Sequence, residues 1–452
     1  MGPVKIIVTV GPASARPEII SAMAAAGANV FRLNCSHAGT EELTRNAELI
    51  RQHAPDGAIL VDLQGPKLRT GPFPLTFTAG TRASLSPKDL TFDPAEAGLR
   101  RGHRLLLGDG RIELVLVDEP GTGGVMFDTL RGGSIPARQG VHLPDTAVAY
   151  PACAANDERY IDAANKIGAE WVALSFVRDA KDIFALRERL DGRSGIVAKI
   201  ERREALTNLE AIIDAADAVM AARGDLGVEI PFEDVPRAQR RIADIALQTG
   251  KPAICATEML ESMRTSNRPT RAEVADVSAA VVQGYGAVML SAETATGEHP
   301  VEAVAAMRRI CDATTAEIGH KIYADLHPGD SAVSAAAAAL ASRTGADAIL
   351  ALTYTGYSAE ILSACRPPIP VIAATPTSEV ARRLQLHWGV LPLVVERPEK
   401  MSDAVEVAQA KAVRCGALTR ESSLVVTASR GDPGDPADTV WWQPHPVHTD
   451  QG

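Results

Sequence analysis

The stretch "VAKIERREAL" sets Lys199 and Glu201 two residues apart at the end of an apolar run, and "AARGDLGVEIP" then carries Asp225 in a glycine-flanked turn. Side chains two apart on a strand point the same way, so Lys199 and Glu201 share a face. Glu201 and Asp225, from neighbouring runs, make an oxygen pair suited to a divalent metal such as Mg2+, which keeps positions for water and substrate oxygens. The same residues also suit plainer roles: a structural Lys199–Glu201 ion pair, and a turn acid that caps the following helix. Further apolar runs end in Arg32 and Asn34, in Asp62, in Thr257, and in Ser291 and Glu293. A divalent cation beside a lysine, arginines and a glycine turn is a site for a phosphorylated carboxylate, because such groups neutralise charge spread over phosphoryl oxygens during transfer. Thr257 and Ser291 are strand-end hydroxyls; either a cap or a proton relay fits them.

Elements must bring these endings to one face. Short apolar runs at 5–11, 29–34, 58–63, 171–176, 195–200, 217–223, 252–257 and 287–292 alternate with helical patterns such as "PEIISAMAAAGA" and "REALTNLEAIIDAA". Continuous apolar strands between helices imply parallel β covered by helices, and eight such units predict a (β/α)8 TIM barrel. In that architecture the reactive side chains stand at the C-terminal strand ends. Residues 72–142 change character, alternating apolar and polar with glycine turns, and predict a small inserted β-barrel lid over the catalytic face. From about residue 326 a second series of strands and helices predicts a C-terminal α/β domain with a parallel sheet. The expected division is 1–71 with 143–325 for the barrel, 72–142 for the lid and 326–452 for the C-terminal domain. In the last, Thr353, Thr355, Gly356 and Ser358 in "TYTGYSAE" offer hydroxyls and backbone N–H groups to a phosphate, or simply cap a helix.

With 23% charged and 46% hydrophobic residues the chain reads as an ordinary globular protein, and its net charge of −10 argues against general binding to nucleic acid or an anionic membrane. The six cysteines show no C-x-x-C spacing and read as reduced thiols. There is no leader pattern and no apolar run of about 18 residues, so a cytoplasmic location is expected.

The motifs "TVGPAS", "NVFRLNCSHA", "GPKLRTG", "VAKIE", "AARGDLGVEIP", "ICATEMLESM" and "VMLSAETATGEHP", in this order, resemble the pyruvate kinase family over nearly the whole length. The resemblance implies phosphoryl transfer from phosphoenolpyruvate to ADP, with Mg2+ or Mn2+. It implies that Lys199 stabilises the phosphoryl group in flight and Arg32 holds the phosphate. Glu201 and Asp225 would ligate the metal, while the Gly224 and Asp225 amides and Thr257 hold the substrate carboxylate. Asn34, His37 and Arg69 would face the nucleotide phosphates, with Arg138 of "SIPARQGVHLP" standing in for a lid lysine. Protonation of the enolate would run through water, Thr257 and Ser291. A homotetramer is the family expectation. The loop "ASRGDPGDPADTVWW" departs from the sugar-bisphosphate pattern, which leaves a sugar phosphate, a nucleotide or no effector.

Many members of the family need potassium, held by residues matching Asn34, Ser36, Asp62 and the backbone of Leu63. They usually read "DTKGPEIRTG", where this chain reads "DLQGPKLRTG". Leu63, Gln64 and Lys67 resemble the potassium-independent branch. A tethered ammonium at Lys67 can supply the charge that potassium would bring, and the glutamate it replaces no longer calls for a cation. A loop lysine in solvent is the plainer alternative. Two other functions remain to be weighed: a carbon–carbon lyase acting on 2-oxoacids, and a non-catalytic paralogue that binds sugar phosphate. The lid and the intact Lys199, Glu201, Asp225 and Thr257 speak against both.

Overall fold

A computed structural model describes residues 2–120, 124–148, 150–318, 332–396, 401–429 and 437–444. All eight predicted barrel runs form strands: β1 (Lys5–Val10), β2 (Val30–Asn34) and β3 (Ala58–Asp62), then, after the insertion, β11 (Trp171–Leu174), β12 (Gly195–Ile200), β13 (Ala218–Ala222), β14 (Ala253–Ala256) and β15 (Ala287–Leu290). They pair in parallel and close in the order β1-β15-β14-β13-β12-β11-β3-β2. The parity of each strand explains both the barrel and its chemistry. One set of alternate residues, including Val8, Phe31, Val61, Leu174, Ala198 and Val288, packs outward against the helices. The other set, including Ile7, Val30, Leu60, Ala173, Val197 and Met289, fills the interior. Two residues further along several of these inward rows the side chains become polar: Thr9, Arg32, Asp62, Ser175 and Lys199.

The insertion contains β4 (Leu75–Phe77), β5 (Arg82–Leu85), β6 (Arg104–Leu107), β7 (Ile112–Leu116), β8 (Val125–Arg131), β9 (Gly133–Ile135) and β10 (Val141–His142). Its own core gathers Leu85, Leu105, Leu114 and Phe127. Where the alternation predicts a small β-barrel, the strands pair as a five-stranded antiparallel sheet, β10-β6-β7-β8-β5, and a separate ribbon, β4-β9. The ribbon strands β4 and β9 have three residues each and pair only with one another.

The C-terminal sheet has the order β18-β17-β16-β19-β20, from β16 (Ala348–Leu352), β17 (Val371–Thr375), β18 (Val390–Val394), β19 (Leu424–Ala428) and β20 (Thr439–Gln443). Its last strand runs antiparallel to β19. The sequence analysis expects a parallel sheet and places no strand at "TVWWQ", whose β-branched and aromatic residues favour this pleated antiparallel edge. The expected domain junction at 325/326 and loop residues 430–436 lie outside the described residues. All six cysteines are free, five of them buried, and no described helix is long and apolar enough to cross a membrane.

Candidate active site

Asp62, at the end of β3, is the centre of the polar layer and is 1% exposed. Arg32 Nε donates to its Oδ2 at 2.7 Å, and Lys199 Nζ donates to its Oδ1 at 3.1 Å. Arg32 Nη1 also donates to Thr9 Oγ1 at 3.0 Å, which fixes the guanidinium across β1 and β2. Lys199 Nζ further contacts Ser175 Oγ at 2.7 Å and Glu201 Oε1 at 2.9 Å. Burial pulls the Lys199 pKa down, yet the charges of Asp62 and Glu201 outweigh it and raise the pKa above the ordinary lysine range. Asp62 is correspondingly held below the usual carboxylate range: burial opposes this, and Lys199 and Arg32 overcome it. Lys199 is therefore a permanent cation, suited to countering charge and unsuited to taking a proton.

Glu201 Oε2 accepts the Phe176 N–H at 2.8 Å, and Phe176 sits at φ 57°, in the left-handed region. Thr257 and Glu258 share that region at φ 68° and 54°. A β-branched residue held there is strained, and such strain gathers at functional sites. Arg223 braces the turn by donating to the Thr257 carbonyl at 2.7 Å and to Asp276 at 2.7 Å. The structure brings Gly224 and Thr257 together, the glycine N–H donating to Thr257 Oγ1 at 2.8 Å. Ser291 Oγ is enclosed without a hydrogen-bond partner, while its N–H donates to Glu293 at 2.7 Å.

Asp225, on the short helix Arg223–Glu229, keeps its carboxylate partly open. The buried Glu201 carboxyl is raised, first by burial and further by the negative charge of Asp225, against the opposing pull of Lys199. Two carboxylates in such a relation, one buried and one open, are a donor set that a divalent cation relieves. The residues fit Mg2+ or Mn2+.

The His37 pKa is lowered, by desolvation first and then by the positive charges of Arg69, Lys67 and Arg32. Arg69 Nη1 donates to the Arg138 carbonyl at 3.1 Å, which ties the barrel to the lid, and the Arg138 side chain is exposed. Lys67 is half-buried and pairs with no carboxylate among the described residues. Its loop turns at Gly65, φ 66°, where a side chain would come 3.1 Å from the Phe176 ring. Asn34 Oδ1 accepts the Ser36 N–H at 3.1 Å, and the Leu63 carbonyl accepts Ser175 Oγ at 2.8 Å.

Four residues escaped the sequence reading. Ser175 continues the inward row of β11, and that parity was its one available signal. Asp157 accepts from the N–H groups of Gly65 and Ala154, anchoring the Lys67 loop. His142 and Glu229 meet under Asp225 across a long sequence separation, with no local signature. In the C-terminal domain, Thr353 Oγ1 accepts the Gly356 N–H at 3.0 Å and Thr355 Oγ1 the Tyr357 N–H at 3.4 Å, while Ser358 is buried. That turn does open a helix, Tyr357–Ala364.

Comparison with known proteins agrees with this architecture. A family model described as pyruvate kinase, barrel domain, matches residues 1–304, and one described as pyruvate kinase, alpha/beta domain, matches residues 331–439. The chain is 41% identical to a pyruvate kinase of Methylorubrum extorquens over 432 residues, covering 91% of this chain and 90% of that one. It is 37% identical to one from Agrobacterium vitis over 450 residues (93% and 94%), and 39% identical to pyruvate kinase 2 of Synechocystis over 444 residues (90% and 73%).

Proposed function

The chain belongs to the pyruvate kinase family, and from that premise we propose that it transfers the phosphoryl group of phosphoenolpyruvate to ADP, using Mg2+ or Mn2+ and needing no potassium. The observation that carries this reading is the buried row Arg32–Asp62–Lys199–Glu201, in which two cations are held in place by carboxylates at the barrel mouth.

In this reading Arg32, fixed by Asp62 and Thr9, grips the phosphate. Lys199 stays protonated and follows the phosphoryl group as its bond to the enol oxygen breaks and its bond to the ADP terminal oxygen forms. The Gly224 and Asp225 amides, with Thr257 Oγ1, hold the substrate carboxylate in place of the contact they make with each other. Glu201 and Asp225 would hold the divalent metal, which would supply neutralisation of the negative charge that develops during transfer. Asn34, His37, Arg69 and Arg138 bind the nucleotide phosphates. The enolate carbon takes a proton that originates in solvent and is relayed through a water and the Thr257 and Ser291 hydroxyls, each hydroxyl regaining the proton it passes on, and this capture as the ketone makes the transfer strongly favourable.

Potassium independence is supported by what surrounds its expected ligands. Asn34 Oδ1, both Asp62 oxygens and the Leu63 carbonyl already accept hydrogen bonds within the protein. Lys67, which pairs with no carboxylate among the described residues and whose charge acts on His37, supplies the missing charge. The same proposal makes the Thr353–Ser358 turn an effector phosphate site, the assembly a homotetramer and the location the cytoplasm. The test is production of pyruvate and ATP from phosphoenolpyruvate and ADP with Mg2+. Pyruvate formation that continues without nucleotide would overturn the kinase reading in favour of a lyase.

A further inference from the structure

A lid residue approaches Asp225, one of the two carboxylates read as metal ligands. His142, at the end of β10, is 5% exposed although it belongs to a small inserted domain. Its Nδ1 lies 3.5 Å from Glu229 Oε1 and its Nε2 lies 4.0 Å from Asp225 Oδ1. Asp225 and Glu229 are four residues apart on the helix Arg223–Glu229, so they share one face and the imidazole spans it. Glu229 Oε2 is buried and has no hydrogen-bond partner.

Barrel residues Phe176 and Arg202 line the same space, together with residues of the lid and its hinge. A side chain at Gly140 would come 3.8 Å from His142 Nε2, 3.8 Å from Asp109 Oδ1 and 3.9 Å from Lys67 Cε. The lid acid, the hinge lysine and the imidazole therefore converge on one spot beside Asp225. Buried polar groups of this kind are held by geometry, and at 4.0 Å the Asp225 contact works through charge and dipole orientation, beyond hydrogen-bond reach. Because His142 belongs to the lid and Asp225 to the barrel, this contact exists only where the two are docked as here.

We propose that His142 is a positioning residue: it orients Asp225 for the divalent cation and so makes metal affinity depend on the docked position of the lid. This rests on the reading of Asp225 as a metal ligand. Outer partners of metal-binding side chains typically change affinity by roughly ten- to a hundredfold when removed. The lower figure fits a contact beyond hydrogen-bond distance.

The experiment titrates Mn2+ into the full chain without substrates, reading free Mn2+ by electron paramagnetic resonance, for the unmodified protein, His142→Ala, His142→Gln and Asp225→Asn. The expected result is a roughly tenfold weaker Mn2+ affinity in His142→Ala, partial recovery in His142→Gln, whose amide keeps polar atoms at similar reach, and near-complete loss in Asp225→Asn. Unchanged affinity in folded His142→Ala, with loss in Asp225→Asn, overturns the role of His142 alone. Unchanged affinity in Asp225→Asn overturns the metal reading and this inference with it.

Discussion

Arg32 and Lys199 share one counter-ion: they hold opposite oxygens of the Asp62 carboxylate, at 2.7 and 3.1 Å. The spacing of the two cations is thus set by a buried group and does not wait for substrate. Asp62→Asn keeps the shape and removes the charge. Breaking one member of a buried charge network leaves the others uncompensated, at about 3–5 kcal/mol. Denaturant unfolding is expected to show a loss of that order, and kcat for pyruvate formation to fall roughly a hundredfold or more.

Ser175 makes a narrower prediction. Its hydroxyl accepts from Lys199 and donates to the Leu63 carbonyl. Ser175→Ala leaves every charge in place and lets the ammonium wander, so kcat is expected to drop by roughly tenfold with little change in overall stability. Steady-state kinetics beside a thermal melt separates the two effects.

Lys199 and Glu201 touch, yet they are assigned to different tasks. Lys199→Met is expected to lower kcat by roughly a thousandfold while Mn2+ still binds, whereas Glu201→Gln loses Mn2+ binding as well. Equal Mn2+ affinity in both variants would show the division of labour to be wrong. Removing metal from the unmodified enzyme by chelation should abolish turnover, and adding Mg2+ should restore it.

A second buried lysine acts on stability alone. Lys5, at the lower rim of the barrel, donates to the Val390 carbonyl, and burial, assisted by the charge of Arg308, pulls its pKa down from 10.5 to about 7. Between those values the unfolded chain holds a proton that the folded chain has released, so this group makes stability rise with pH across the window. Below about pH 7 both states are protonated and the full cost of the buried charge is present. Lys5→Met should therefore raise the melting temperature more at pH 6 than at pH 9.5, the lost bond to Val390 being common to both. A shift independent of pH would refute the buried-charge account.

Most of what positions the site was legible because burial leaves a period. The inward rows ending in Arg32, Asp62 and Lys199 are continuations of apolar alternation, so strand, parity and polar ending could be read together. Ser175 has the same parity but an unremarkable side chain, and chemistry drew no attention to it. His142 was invisible for a different reason: its partners Asp225 and Glu229 lie in the barrel, and only docking of the lid brings them to it. The edge strand β20 was hidden by the turn-forming residues before it, and the open pairing of the lid because alternation marks a strand without saying which strand it pairs with.

The role of Lys67 joins the departures in "DLQGPKLRTG" to the satisfied ligands around Asp62, and steady-state phosphoryl transfer in tetramethylammonium buffer, free of potassium and ammonium, tests it most directly. The account predicts full activity of the unmodified enzyme there, with no more than a small change on adding potassium. It predicts loss of activity in Lys67→Glu, recovered in part by potassium. An unmodified enzyme that turns over only when potassium is present would contradict it.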